Sequence, residues 1–227
     1  MKLYIGNRNY SSWSMRPGVL LAQAGIAHET AMIRFDALGP ESQFKRAVAA
    51  VSPAGRVPVL VDGELAIWDT LAIAEYVAEK FPAKQLWPAE RAARARARSV
   101  CAEMHSGFAA LRGACPMNIE ASLPDAGALI WRDQPAVRAD VARIVAMWTA
   151  LLDASGGPML FGDFSIADAY YAPVCMRLVT YALPVPADLR AYIERVRALP
   201  GVAAWIEAAL AERDFLDFEE PYRLRRA

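Results

Sequence analysis

Few cysteines, no net charge and no long apolar run characterise this sequence of 227 residues, and each absence excludes something. The three cysteines, Cys101, Cys115 and Cys175, are odd in number and widely spaced. They make no disulfide framework, no CxxC pair and no zinc pattern, so the expectation is a reducing, cytoplasmic setting and no metal. Twenty-five basic and 25 acidic side chains cancel, which removes any global pull towards nucleic acid or an anionic membrane. No apolar stretch approaches the ~20 residues of a membrane span. Polar residues stand by Asn7, so no apolar leader is expected at the N-terminus. Internal repeats and low-complexity tracts are absent too.

What is present is hydrophobic material, 56% of the chain, enough for one large core or two smaller ones. Up to about residue 81 the pattern alternates strand and helix. Residues 2–5 read as a short buried strand, and residues 19–24 as the body of a helix stopped by Gly25. Residues 28–35 read as a second strand, 41–51 as a short helix and 57–61 as a third strand. Asp62-Gly63 is a two-residue hairpin turn into 64–68, and 70–80 is a helix. The order is βαβαββα. Residues 81–88 break both periodicities and read as a linker. From 89 onwards alanine-rich segments of period 3.6 predict one long helix over 89–114 and further helices at 135–154, 166–181, 187–197 and 201–211. Within the long helix Val100, Met104, Phe108 and Leu111 fall on one buried stripe. An α/β unit over 1–82, a linker at 82–88, an all-helical unit over 89–215 and a tail at 216–227 is the predicted organisation.

Residues 10–17, Tyr-Ser-Ser-Trp-Ser-Met-Arg-Pro, carry the first chemical signal. They put three hydroxyls (Ser11, Ser12, Ser14) between a strand and a helix N-terminus, with Pro17 in the first turn where its missing N–H costs nothing. That end of a helix offers free N–H donors and partial positive charge, so it holds anions and thiolates. Such serines also serve as N-caps, and Ser14 reads best as one. A second signal is Val57-Pro58: a proline opening an apolar strand fits an edge strand, or a cis bond that turns the preceding backbone towards a ligand. A third is Asp69-Thr70, with Thr70 placed to cap the following helix and Asp69 placed to hold an ammonium group. The fourth, 162–168 (Gly-Asp-Phe-Ser-Ile-Ala-Asp), is a capping arrangement of Ser165 and Asp168.

In that order and spacing, these segments resemble the cytosolic glutathione S-transferases over essentially the whole chain. The resemblance implies a thioredoxin-like N-terminal domain that binds glutathione and an all-helical C-terminal domain. Serine-dependent classes are nearest, zeta above all, whose members include maleylacetoacetate isomerases. Trp13 stands where zeta enzymes have cysteine, which argues against thiol chemistry by the protein itself. By the same resemblance Ser11 matches the catalytic serine best, with Ser12 its neighbour, and Arg16 adds positive field. A thiol of pKa ~8.5 is only slightly ionised at neutral pH, and a donated O–H lowers that value. Val57 would pair with the cysteinyl backbone of glutathione, Asp69 and Thr70 with the γ-glutamyl ammonium and carboxylate, and Lys45 or Arg56 with the glycyl carboxylate.

The acceptor pocket is expected between the halves, walled by Tyr10, Trp13, Met104, His105, Phe108 and Arg112, although Met104 and Phe108 also suit the core stripe. Three functions follow: conjugation of glutathione to small electrophiles, glutathione-dependent isomerisation of a maleyl-type diacid, or a non-catalytic binding module. Arginines 91, 94, 96 and 98 form the single charge run and read as a solvated face or a subunit contact. A homodimer about the long helix is the predicted assembly.

Overall fold

The computed structural model describes residues 1–37, 39 and 41–226. Its sheet runs β2–β1–β3–β4. The central strand β1 (Lys2–Ile5) buries Leu3 and Ile5 completely. It pairs in parallel with β2 (Glu29–Met32) and antiparallel with β3 (Val59–Asp62), and β4 (Leu65–Trp68) closes the far edge. Asp62 faces Leu65 across the predicted turn, where Gly63 has φ +61°, a left-handed conformation open to glycine at little cost. β2 is shorter than the periodicity of 28–35 suggests. With β1 only four residues long, the pairing ends on one bond from Ile33 N–H to Ile5 C=O, after which Phe35 N–H turns to the Asn7 side chain.

The helices of this half are α1 (Ser12–Gln23), α2 (Gln43–Ala49) and α3 (Thr70–Lys80). α2 begins later than residue 41 because Ser42 is its cap and the Asp36 carboxylate accepts from Gln43 and Phe44 N–H. α3 is capped one residue earlier than expected: Asp69, at φ 76°, accepts from Leu71 N–H, and Thr70 becomes the first helical residue. Residues 81–88 are packed rather than slack. Leu86 and Trp87 are buried, the Trp87 indole donates to Glu75 at 3.2 Å, and Ile166 N–H bonds to Leu86 C=O.

Seven helices follow: α4 (Arg91–Ser106), α5 (Ala109–Ala114), α6 (Pro124–Asp133), α7 (Pro135–Ser155), α8 (Ile166–Thr180), α9 (Ala187–Ala198) and α10 (Pro200–Glu212). The single long helix expected over 89–114 is therefore two. Its buried stripe is real, with Val100, Met104, Phe108 and Leu111 all in the core, but the helix breaks at Gly107-Phe108. A Cβ at Gly107 would stand 2.7 Å from Glu103 C=O, and Phe108 takes the left-handed conformation at φ 55°. α6 was not expected. It opens on Pro124, a residue suited to the first helical position.

α8 is the axis of the helical half and is buried along nearly its whole length. Asp168 anchors it: the carboxylate accepts from Leu160 N–H, Ser165 N–H, the Ser165 hydroxyl and the Tyr192 hydroxyl. α1 lies between the sheet and this half, touching α8 and α10. Contact with α10 is close enough that a Cβ on Gly18 would come within 2.2 Å of the Trp205 ring. The predicted tail is also structured. Residues 213–226 run back across the junction of the two halves, pinned by Asp214, Glu220, Tyr222, Arg223 and Arg226; Ala227 lies outside the described residues. Among the described residues no helix is long and apolar enough to cross a membrane.

Candidate active site

The start of α1 is the centre of the site. Ser11 is the N-cap, accepting from Ser14 N–H at 3.3 Å, and its hydroxyl donates to Ser14 Oγ at 2.8 Å. Ser14, read above as the cap, instead accepts from Gly6 N–H and ties α1 to β1. Ser12 points elsewhere. Its Oγ accepts from Arg177 Nη2 at 3.2 Å, so its own proton remains to be given. Arg177 comes from α8, is buried, and also donates to the carbonyls of Arg112 and Cys115. Burial, then Arg112 nearby, pulls its guanidinium down to about 10, which leaves it a cation at neutral pH.

Arg16 is not the solvated arginine of a helix first turn. It is 2% exposed, packed with Cζ 4.2 Å from the Trp13 ring and 4.9 Å from the Tyr170 ring. Burial pulls it down to about 10, so it too stays charged at neutral pH. Arg112 approaches the same indole at 5.0 Å, and the His105 ring meets it edge-on at 5.1 Å. Trp13 is thus held by two guanidiniums, an arrangement its π face favours.

Two clefts meet here. One, of about 620 Å³, runs from Trp13 and Arg112 past Arg56, Val57 and Pro58 to Asp69, Thr70 and His105. The Val57–Pro58 bond in its wall is cis. At its far end Thr70 is buried, its hydroxyl accepting from Tyr170 of α8 at 2.9 Å, and His105 Nε2 lies 3.3 Å from Asp69 Oδ2. The other cleft, about 580 Å³, shares Trp13, Arg56, Val57 and Arg112 and continues over Tyr10, Ser11, Ser12, Met117, Arg177 and Glu219.

The expected site residues therefore distribute as follows. Ser11, Ser12, Tyr10, Trp13 and Arg112 line the second cleft, while Asp69, Thr70 and His105 share the first. His105 lies against Asp69 and Trp13 in the first cleft and not in the cleft that Tyr10 lines. Met104 and Phe108 line neither cleft and pack in the core. Of the two candidate cations, Arg56 borders both clefts, whereas Lys45 donates to Gly55 C=O at 3.1 Å. Tyr10 is tied by its hydroxyl to Glu220 at 2.7 Å. Sequence reasoning missed Tyr170, Arg177 and Glu219. Arg177 had a signal, a lone arginine in a long apolar helix; Glu219 had none, since nothing local announces where the tail returns.

The three cysteines are buried and uninvolved, with burial pushing the Cys115 thiol up to about 12. No group of side chains able to hold a metal ion occurs among the described residues.

A four-stranded thioredoxin-like sheet joined to a helical domain, with a cleft where the first helix begins, defines a class of protein. Family profiles agree: the glutathione S-transferase N-terminal domain matches residues 10–80 and the C-terminal domain residues 89–208. The chain belongs to the glutathione S-transferase family. Among its relatives is a maleylacetoacetate isomerase of Pseudomonas aeruginosa, 32% identical over 178 residues, 76% of this chain and 79% of that protein. A glutathione transferase homologue from a Burkholderia strain, solved with bound glutathione, is 27% identical, with TM-score 0.70 over 92% of this chain and 98% of its own. A bacterial zeta-class maleyl pyruvate isomerase shares the fold, with TM-score 0.69 at 23% identity over 95% of this chain and all of its own.

Proposed function

We propose that the chain is a glutathione transferase that holds glutathione along the first cleft and its electrophile in the second. The carrying observation is the meeting of the two clefts at Trp13, Arg56, Val57 and Arg112, beside the hydroxyls that open α1. Asp69 and Thr70 at the N-terminus of α3 suit the γ-glutamyl ammonium and carboxylate. Val57 suits the cysteinyl backbone, and Arg56 the glycyl carboxylate. The thiol then falls at the start of α1. In this reading Ser12, whose Oγ accepts from Arg177, donates to the sulfur, a role supported by Ser11 being engaged as the helix cap. Such a donor beside a buried cation favours thiolate over thiol.

Turnover of a general aryl-halide electrophile tests this. Ser12→Ala should lose most of the rate, while Ser11→Ala should lose stability first. Full activity in both variants would remove the hydroxyls from the mechanism.

A second reading, glutathione-dependent cis–trans isomerisation of a maleyl-type diacid, draws on the Pseudomonas aeruginosa relative and on Arg112 and Arg177 in the second cleft. In that chemistry the glutathione sulfur adds to the double bond, the bond rotates, and the sulfur leaves again. An isomerisation assay on a maleylacetone-like substrate with glutathione decides it.

The assembly we propose is a homodimer closed over the β4 edge of the sheet, where Leu65 is 51% exposed. Two arginines of the charge run are already used within the chain, Arg98 in a bidentate pair with Glu75 and Arg94 on the Pro88 and Ala89 carbonyls. Arg91 and Arg96 remain exposed on α4 to meet a partner. Light scattering should give twice 24.8 kDa.

A further inference from the structure

The returning C-terminal segment contributes one residue to the lining of the second cleft, and that residue is an acid. Glu219 ends a short 3-10 turn, Asp217–Glu219, held fast on both sides. Before it, Asp214 accepts from Asn7 Nδ2 at 2.6 Å and pairs with Arg34, and Leu216 N–H reaches the Tyr10 hydroxyl. After it, the buried Glu220 carboxylate accepts from Tyr10, Asn118 and Arg223, and Tyr222 donates to Ala114 C=O at 2.7 Å. Glu220 therefore takes the structural bonds. Among the described residues none donates to the Glu219 carboxyl, which is left facing the cleft that Arg177 also lines.

We infer that Glu219 sets the charge of the acceptor: it offsets one of the two guanidiniums, Arg112 and Arg177, and so matches the cleft to a molecule bearing a single carboxylate. The inference rests on the glutathione reading above, in which Arg56 is engaged by glutathione itself. With the sulfur substituted and uncharged, the lining left to the acceptor carries two guanidiniums against one carboxylate, a surplus of one positive charge; Arg16 is buried behind Trp13 and lines neither cleft. A first acceptor carboxylate meets that surplus, and a second meets Glu219, a like charge in a partly desolvated setting where repulsion is weakly screened. Burial pushes the Glu219 carboxyl up, and the field of Arg177 works against that push.

Calorimetric binding of three S-substituted glutathiones tests this without turnover: S-methyl (no added carboxylate), S-carboxymethyl (one) and S-(1,2-dicarboxyethyl) (two). The wild type should prefer the one-carboxylate ligand to the two-carboxylate ligand by about tenfold. Glu219→Gln should abolish that preference by gaining about tenfold for the two-carboxylate ligand, with S-methylglutathione unchanged. Glu219→Asp, which keeps the charge, should retain the wild-type order. A wild type that prefers two carboxylates, or a Glu219→Gln protein with the wild-type ratio, overturns the inference while leaving the glutathione reading intact. Failure of all three ligands to bind the wild type overturns both.

Discussion

The guanidinium of Arg177, two turns along α8 from Tyr170, donates to Ser12 Oγ at 3.2 Å across the boundary between the two halves of the molecule. Replacing it by methionine keeps the volume and removes the charge. The bound thiol should then ionise with more difficulty, its pKa rising by about one unit, worth ~1.4 kcal/mol. We expect kcat/KM to fall about 10- to 100-fold, with Arg177→Lys recovering part of it. Ultraviolet titration of the bound thiolate checks the cause. An unchanged thiol pKa would detach Arg177 from activation.

Tyr170 reaches the other end of the glutathione cleft, giving its proton to Thr70 Oγ1 at 2.9 Å. Tyr170→Phe leaves the ring that packs on Arg16 and takes away only the donor. Thr70 then loses its fixed orientation at the start of α3. KM for glutathione should rise about threefold to tenfold while kcat holds, the pattern of lost ground-state binding. A fall in kcat with unchanged KM would place Tyr170 in the chemical step instead.

These two residues also mark where the sequence stopped being legible. The sheet and its turn could be read, because Asp62-Gly63 and the short apolar runs are local signals. The serines at α1 and the Asp69-Thr70 pair could be read as well, since a helix N-terminus announces itself. Which residue caps could not: Ser11 and Asp69 take roles expected of Ser14 and Thr70, a shift of backbone conformation rather than of composition. Continuity failed at Gly107-Phe108, where a left-handed residue splits an unbroken helical pattern. The contributions of α8 and of the tail depend on contacts between residues 100 or more positions apart, and no local period encodes them.

Asp168 is the most fully committed carboxylate of the helical half, with four donors converging on it in the core. Asp168→Ala strands those donors without water. The loss should be about 3 kcal/mol, the cost of leaving several buried polar groups unpaired. In a domain of this size that lowers the melting temperature by roughly 10 °C. Because Asp168 lies away from both clefts, protein that survives below the new melting point should keep its KM for glutathione. Calorimetry and steady-state kinetics on one preparation separate the two effects, and an unchanged melting temperature would contradict the role given to the network.

The C-terminal strap should respond to acid through Glu220. Burial alone would push this carboxyl up, but the hydrogen bonds from Arg223, Tyr10 and Asn118 outweigh it and hold it below its ordinary value. A carboxylate lowered on folding adds stability above its unfolded pKa, ~4.3, and loses it as pH falls through the folded value. At neutral pH, Glu220→Gln should therefore melt below wild type, by an amount set by the lost pairing with Tyr10 and Arg223. The gap should close as the pH falls through the lowered folded value, below which both proteins carry a neutral side chain at this position. Melting curves of the two proteins between neutral and acid pH provide the measurement. A gap that stays constant down to the acid limit would show that the Glu220 charge contributes nothing to holding the strap.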